Sequence, residues 1–213
     1  MCPLCCATAI NKTYHKDTRR RFYACEICQL VFVPPGDFLS PEAEKTAYDH
    51  HQNSPEDQAY RRFLNRLFSP MQKVLQPESL GLDFGSGPGP TLSVMFEEVG
   101  HTVAIYDCFY ANDHSVLQQS YDFITASEVV EHLHHPRKEL DDLWNILRPG
   151  GVFGIMTKRV YGHKAFMTWH YKNDLTHVCF YSVATFEWLA NRWKAELTVS
   201  EKDVVLFKKR SLS

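Results

Sequence analysis

Residues Leu80–Pro90 read L-G-L-D-F-G-S-G-P-G-P. A short buried strand carrying an acid, Asp83, runs into glycines at alternating positions, Gly85, Gly87 and Gly89, with Ser86 inside the turn. Glycine is needed where the backbone turns sharply and a ligand must approach with no Cβ in the way. Pro90 suits a first helical position, Leu92, Met95, Phe96 and Val99 recur at helical spacing, and Gly100 suits a C-terminal stop. The run is not the G-x-x-x-x-G-K-[ST] loop of a nucleoside triphosphate site. Asp83 would repel a pyrophosphate and suits a cationic group such as an amino-acid ammonium. The next strand, His101–Tyr106, ends in Asp107, close to the distance expected for a ribose-binding carboxylate.

An acid at the turn and an acid after the second strand resemble the class I S-adenosylmethionine-dependent methyltransferases. The resemblance covers about residues 79–213, with the L-R-P-G-G turn before VFGIMT also typical. It implies an α/β, Rossmann-like doubly wound sheet of seven strands, closed by an antiparallel pair at AELTV and VVLFKKR. S-adenosylmethionine would be the methyl donor and S-adenosylhomocysteine the product. Asp83, Gly85, Ser86, Gly87, Gly89, Asp107 and Glu128 carry the cofactor role in that likeness. Only CFYANDHSVLQQS separates Asp107 from the strand YDFITAS, so the strand usually placed there is short or absent.

Composition is that of a soluble globular chain: 213 residues, 44% hydrophobic, 23% charged. A net charge of -2 advertises no nucleic-acid or anionic-membrane field. No apolar run approaches the ~20 residues of a membrane span, and the N-terminus lacks a signal-peptide pattern, so a cytoplasmic protein is expected.

Four of the seven cysteines form C-P-L-C (Cys2, Cys5) and C-E-I-C (Cys25, Cys28), nineteen residues apart. That spacing is a zinc ribbon: two thiolate knuckles closing a tetrahedral, structural Zn²⁺ site around a small hairpin. Cys6 could compete as a ligand. The expected division is a ribbon over 1–35, a helical linker or cap over 36–78, and the cofactor domain over 79–213. The linker reads as two helical pieces, the second capped by Ser54 and stopping before Pro70. It is expected to lean over the pocket, offering Tyr48, His51, Asn53 and Arg61 or Arg62.

For chemistry, T-A-S-E-V-V-E-H replaces the N-P-P-Y type motif of amide and exocyclic-amine methylases. Glu128, Glu131 and His132 fall at i, i+3 and i+4, one face if helical, which suits half of a divalent-metal site. The pattern is similar to that of ubiquinone-pathway O-methyltransferases and small-RNA 2′-O-methyltransferases, where it holds Mg²⁺ with a later His, here His177. The same acids and imidazole could instead serve capping and packing. His51, Trp169, Tyr171, Asp174 and Tyr181 are expected around the acceptor, with His132, His170 and His177 as candidate bases. A small-molecule oxygen is the favoured acceptor. Two other readings stand beside it: an RNA methyltransferase whose basic KDTRRR and FKKR touch phosphate, and a non-catalytic cofactor-binding module.

Overall fold

A computed structural model describes residues 1–8, 12–50, 53–200 and 203–211. The N-terminal strands are β1 (Lys12–Lys16), β2 (Arg21–Ala24) and β3 (Val31–Phe32). Two helices follow, α1 (Pro41–Tyr48) and α2 (Gln58–Gln72). The alternating part comprises β4 (Leu80–Phe84), α3 (Thr91–Glu97), β5 (Thr102–Tyr106), β6 (Tyr121–Ser127), α4 (Pro136–Ile146) and β7 (Leu147–Met156). The chain ends with α5 (His163–Met167), β8 (Cys179–Phe180), α6 (Val183–Trp193), β9 (Glu196–Ser200) and β10 (Val204–Lys208).

The larger sheet has the order β5-β4-β6-β7-β10-β9. Its first four strands are parallel, and β10 runs antiparallel between β7 and β9. Six strands stand where seven were the family pattern. The segment after Asp107 forms a 3₁₀ turn, His114–Gln118, so β5 is the edge strand. Side chains alternate faces with period two. Val204 and Leu206 join Phe123, Val152 and Met156 under α2 and α3, while Val205 and Phe207 join Phe153 and Ile155 on the opposite face.

Two details of the linker depart from expectation. Asp57, not Ser54, caps α2, its Oδ1 accepting from Ala59 N and Tyr60 N. The helix also runs through Pro70 to Gln72, because Leu67 and Met71 are driven into the core, where Met71 Sδ fills the space over Gly154. Burying two such side chains, about 1.5–3 kcal/mol each, offsets the hydrogen bond that proline forfeits.

The cysteine region forms the second sheet, of order β1-β2-β3-β8. Its last strand comes from the far end of the chain, with Val31 opposite Phe180 and Phe32 opposite Cys179. Leu4, Phe22, Leu30 and Val33 share one apolar core with Val178–Tyr181 and the lower face of the large sheet. The first 35 residues thus lean on residues almost 150 positions away. No helix of the described residues is long and apolar enough to cross a membrane.

Candidate active site

The β4 register places Asp83 beside Thr125 of β6. Thr125 Oγ1 donates to Asp83 Oδ1 at 2.8 Å, and burial pushes the Asp83 carboxyl up to about 6. Asp83 is therefore a buried support under the turn and does not line the cavity above it. The three glycines divide their duties. A Cβ on Gly85 would collide with Val129, and one on Gly89 with the Asn53 carbonyl. Gly87 faces open space, and its φ of +65° is what demands glycine there.

That space is a cavity of about 970 Å³, within the size range of cofactor sites. Its floor carries Gly85, Ser86 and Gly87. Asp107 stands at one end, Oδ2 accepting from Gly87 N (3.0 Å) and Oδ1 from Phe109 N and Tyr110 N (2.9 and 3.1 Å). An ionised carboxylate has about four acceptor sites, so capacity for ribose hydroxyls remains. The linker forms the roof. Tyr48 of α1 sets its ring edge on His132, and Asn53, Tyr60 and Phe63 line the wall, with Asn53 Nδ2 donating to Tyr60 Oη. Arg61 turns away to Glu98 and the Pro55 carbonyl, and Arg62 is exposed, so neither lines the cavity. His51 lies outside the described residues.

Glu128, His132, Asp174 and His177 also line the cavity. The E-x-x-E-H segment is not an α-helix: Val130–His132 is a 3₁₀ turn, and Glu128 precedes it at φ +53°. The two acids instead meet through Tyr171, whose phenol donates to Glu131 Oε1 and lies 3.4 Å from Glu128 Oε2. Burial raises both carboxyls, and each acid's proximity to other negative groups adds to it. His177 donates from Nδ1 to the Tyr171 carbonyl at 2.8 Å, and His132 Nδ1 lies 3.2 Å from the Thr176 carbonyl. Burial, then the neighbouring His132, lowers the His177 imidazole to about 3, so it is neutral.

Ligand atoms of Glu131, His132 and His177 all lie within 4.8 Å of one another. Glu131 Oε2 is buried with no hydrogen-bond partner. A buried carboxylate whose ligand oxygen lies this near two imidazole nitrogens fits a divalent cation, and Glu128 is not part of that group.

Four residues expected around the acceptor do not line the cavity, Tyr171 among them, buried with its hydroxyl between the two acids. Tyr181 is fully buried, donating to the Val130 carbonyl and stacking on Phe186. His170 is exposed, 3.3 Å from Lys158 Nζ. Trp169 lines a separate hollow of about 570 Å³ with Lys158 and Arg159. An aromatic, His-rich run carries no period that separates core from cavity, so only the folded chain sorts these rings. Phe109 and Tyr110, two and three residues after Asp107, line the cavity without any sequence signal that marks them.

The cysteine cluster is built from two equal knuckles. Cys2 N donates to Ala7 O and Cys6 N to Cys2 O; Cys25 N donates to Leu30 O and Gln29 N to Cys25 O. Cys6 and Gln29, each just after its pair, both adopt positive φ. Cys6 is thereby turned outward and exposed, away from the group Cys2, Cys5, Cys25 and Cys28. Sulfur separations of 3.6 Å (Cys2–Cys28) and 3.4 Å (Cys5–Cys25) are near the ~3.8 Å tetrahedral edge that ~2.3 Å Zn–S bonds impose. The four thiols fit zinc.

Two residues of the basic stretches are consumed by the fold. Arg20 is buried against backbone carbonyls, and Lys209 Nζ donates to the Trp144 and Leu147 carbonyls. Neither is available to a phosphate.

Among solved structures, a chain of the complex between the Haloferax volcanii Trm112 methyltransferase activator and a methyltransferase is 11% identical, with TM-score 0.55 over 82% of this chain and 99% of that one. An O-methyltransferase family protein from Burkholderia thailandensis is 12% identical, with TM-score 0.51 over 79% and 63%. CalO1, a methyltransferase in calicheamicin biosynthesis in its S-adenosylhomocysteine-bound form, is 11% identical, with TM-score 0.53 over 80% and 58%. This chain spans less than two thirds of the length of the latter two. At these identities the likeness is one of fold. No curated protein matches the chain in sequence. The family described as methyltransferase domain matches residues 48–201, which runs from the α1 roof through the Gly-rich turn to β9. By that match this chain belongs to the methyltransferase-domain family, with the sheet of the class I S-adenosylmethionine-dependent enzymes.

Proposed function

We propose that this protein moves the methyl group of S-adenosylmethionine to a hydroxyl of a small organic acceptor, within the cytoplasm. The observation that carries this is one continuous cavity lined both by Gly87 and Asp107 and by Asp174, His132 and His177. Asp107 would accept from the ribose hydroxyls, and the Gly85–Gly87 backbone would border the amino-acid part. Methyl transfer from a sulfonium is an in-line displacement, so the main duties are alignment and exclusion of water. The α1 roof and the Tyr60–Phe63 wall supply both.

A hydroxyl acceptor must also lose a proton. His177 offers Nε2, since Nδ1 is committed to a carbonyl, but an imidazole held so far below its ordinary value is a weak base. Glu131, His132 and His177 would therefore hold a divalent cation, which when bound lowers the acceptor's pKa. Two imidazoles and one carboxylate suit a borderline ion such as Mn²⁺ better than Mg²⁺, which prefers oxygen. Cys2, Cys5, Cys25 and Cys28 would hold Zn²⁺ with no open position, a structural role.

The test is incubation of the purified protein with methyl-labelled S-adenosylmethionine and a metabolite extract, with RNA in a parallel arm. Label in a small molecule is expected. Label confined to RNA would transfer the assignment, and full turnover in excess chelator would remove the cation while leaving His177 as base.

A further inference from the structure

The turn between β1 and β2 carries Arg20 against the backbone of residues 172–177. Its side chain is 4% exposed. Nη1 donates to the carbonyls of Leu175 (3.1 Å) and His177 (2.9 Å), and Nη2 to those of Lys172 (2.6 Å) and Asp174 (2.5 Å). One guanidinium thus gathers four carbonyls of the arc Lys172–His177. Burial draws Arg20 down to about 10, still far enough above neutrality to keep it charged.

The arc has little regular structure of its own. A 3₁₀ turn ends at Asn173, and no element follows until β8. Yet it presents Asp174 and His177 to the cavity, and its Thr176 carbonyl faces His132. The ribbon holds Arg20 in turn. Asp17 Oδ1 accepts from Arg19 N and Arg20 N at 2.8 and 2.9 Å, and Asp17 Oδ2 lies 3.6 Å from Lys172 Nζ. The guanidinium lies over the buried Phe22 ring, 5.1 Å from its centre. Beyond the arc, Val33 N donates to Val178 O, and β3 pairs with β8.

We infer that Arg20 is a positioning residue for methyl transfer, and that the cysteine ribbon is the frame from which it fixes the acceptor segment. The inference rests on the acceptor end as assigned above. A rigid planar fork is suited to this, because its donors are fixed relative to one another. A catalytic arc without regular backbone pairing needs such a brace, since a misplacement of about 1 Å can cost on the order of a hundredfold in rate.

Arg20→Lys tests it, since an ammonium is a point donor that cannot span four carbonyls. Amide exchange over 171–178 is expected to accelerate about tenfold or more, while 80–87 and 121–127 stay within about twofold. Calorimetric affinity for S-adenosylhomocysteine should likewise hold. On the acceptor found by labelling, kcat should fall at least about tenfold with KM for S-adenosylmethionine unchanged. Asp17→Ala, which keeps the guanidinium and loosens its turn, should give the same pattern at smaller amplitude. Exchange unchanged over 171–178, or raised equally in all three segments, overturns the brace. Local exchange raised with kcat intact overturns the positioning role. Failure to label any acceptor would strike the proposed reaction alone, because exchange and calorimetry still decide the brace.

Discussion

The two ends of the cavity are built by opposite means. The end proposed for the cofactor is local: the buried support Asp83, the glycines and Asp107 fall within 25 residues, and their contacts are backbone turns and adjacent strands. The acceptor end is assembled across the chain, with Arg20 reaching residues 152 to 157 positions away and Glu131 N-terminal to a tyrosine forty residues on. A site made of neighbouring residues tolerates the loss of distant parts. One made of distant parts depends on all of them.

The largest expected effect comes from breaking the distant side. Cys25→Ser should lower stability by more than about 4 kcal/mol, because a structural metal site and a shared core are lost together. For a chain of this size that is a fall in Tm of roughly 10 °C. Thermal melts with and without chelator check it. A mutant melting like the parent would mean that the four thiols staple nothing.

Asp83→Asn sharpens the near side. Its carboxyl titrates near 6 when folded, above the ordinary 3.8, because burial disfavours the charge. The folded state therefore binds that proton more tightly. Its contribution is fully present below pH 4 and is lost as pH rises through 6, about 3 kcal/mol at 1.36 kcal/mol per unit. The asparagine should flatten the Tm profile between pH 4 and 7 while its amide oxygen keeps the Thr125 bond. Parallel profiles for the two proteins would refute this.

Next in size, Asp107→Ala removes the acceptor for three backbone N–H groups and for the ribose. Affinity for S-adenosylhomocysteine should fall by about 1.5–3 kcal/mol, while exchange over 171–178 stays as it was. Unchanged calorimetry would move the ribose away from this acid.

The smallest effect separates the glycines. Gly87→Ala should cost only the left-handed strain, about 1 kcal/mol, since nothing lies within reach of its Cβ. Gly89→Ala should cost more and expose the roof to protease, because it displaces the Asn53 carbonyl. Equal melts for the two would show that the roof is not seated on this turn.

The parallel sheet, its antiparallel closure, the missing strand after Asp107 and the two cysteine knuckles were all legible in the sequence. Each is set by spacing, glycine placement or short-range pattern, which a linear reading captures. The run Trp169–Tyr181 was legible only as aromatic and polar. It folds into three environments: Trp169 over a separate hollow, Tyr171 buried between two acids, and Tyr181 in the core.

By itself, then, the sequence determined the Gly-rich turn after β4 and which sulfurs would meet, because backbone sterics and tetrahedral coordination act over short spacings. Only the tertiary structure decided that Arg20 is a brace and not a phosphate contact. It also decided that Glu131, not Glu128, joins the two imidazoles, and that the ribbon pairs with the strand that follows the acceptor segment. Those outcomes depend on desolvation and on partners far apart in the chain, and a charge or a carboxylate carries no mark of either until the core closes around it.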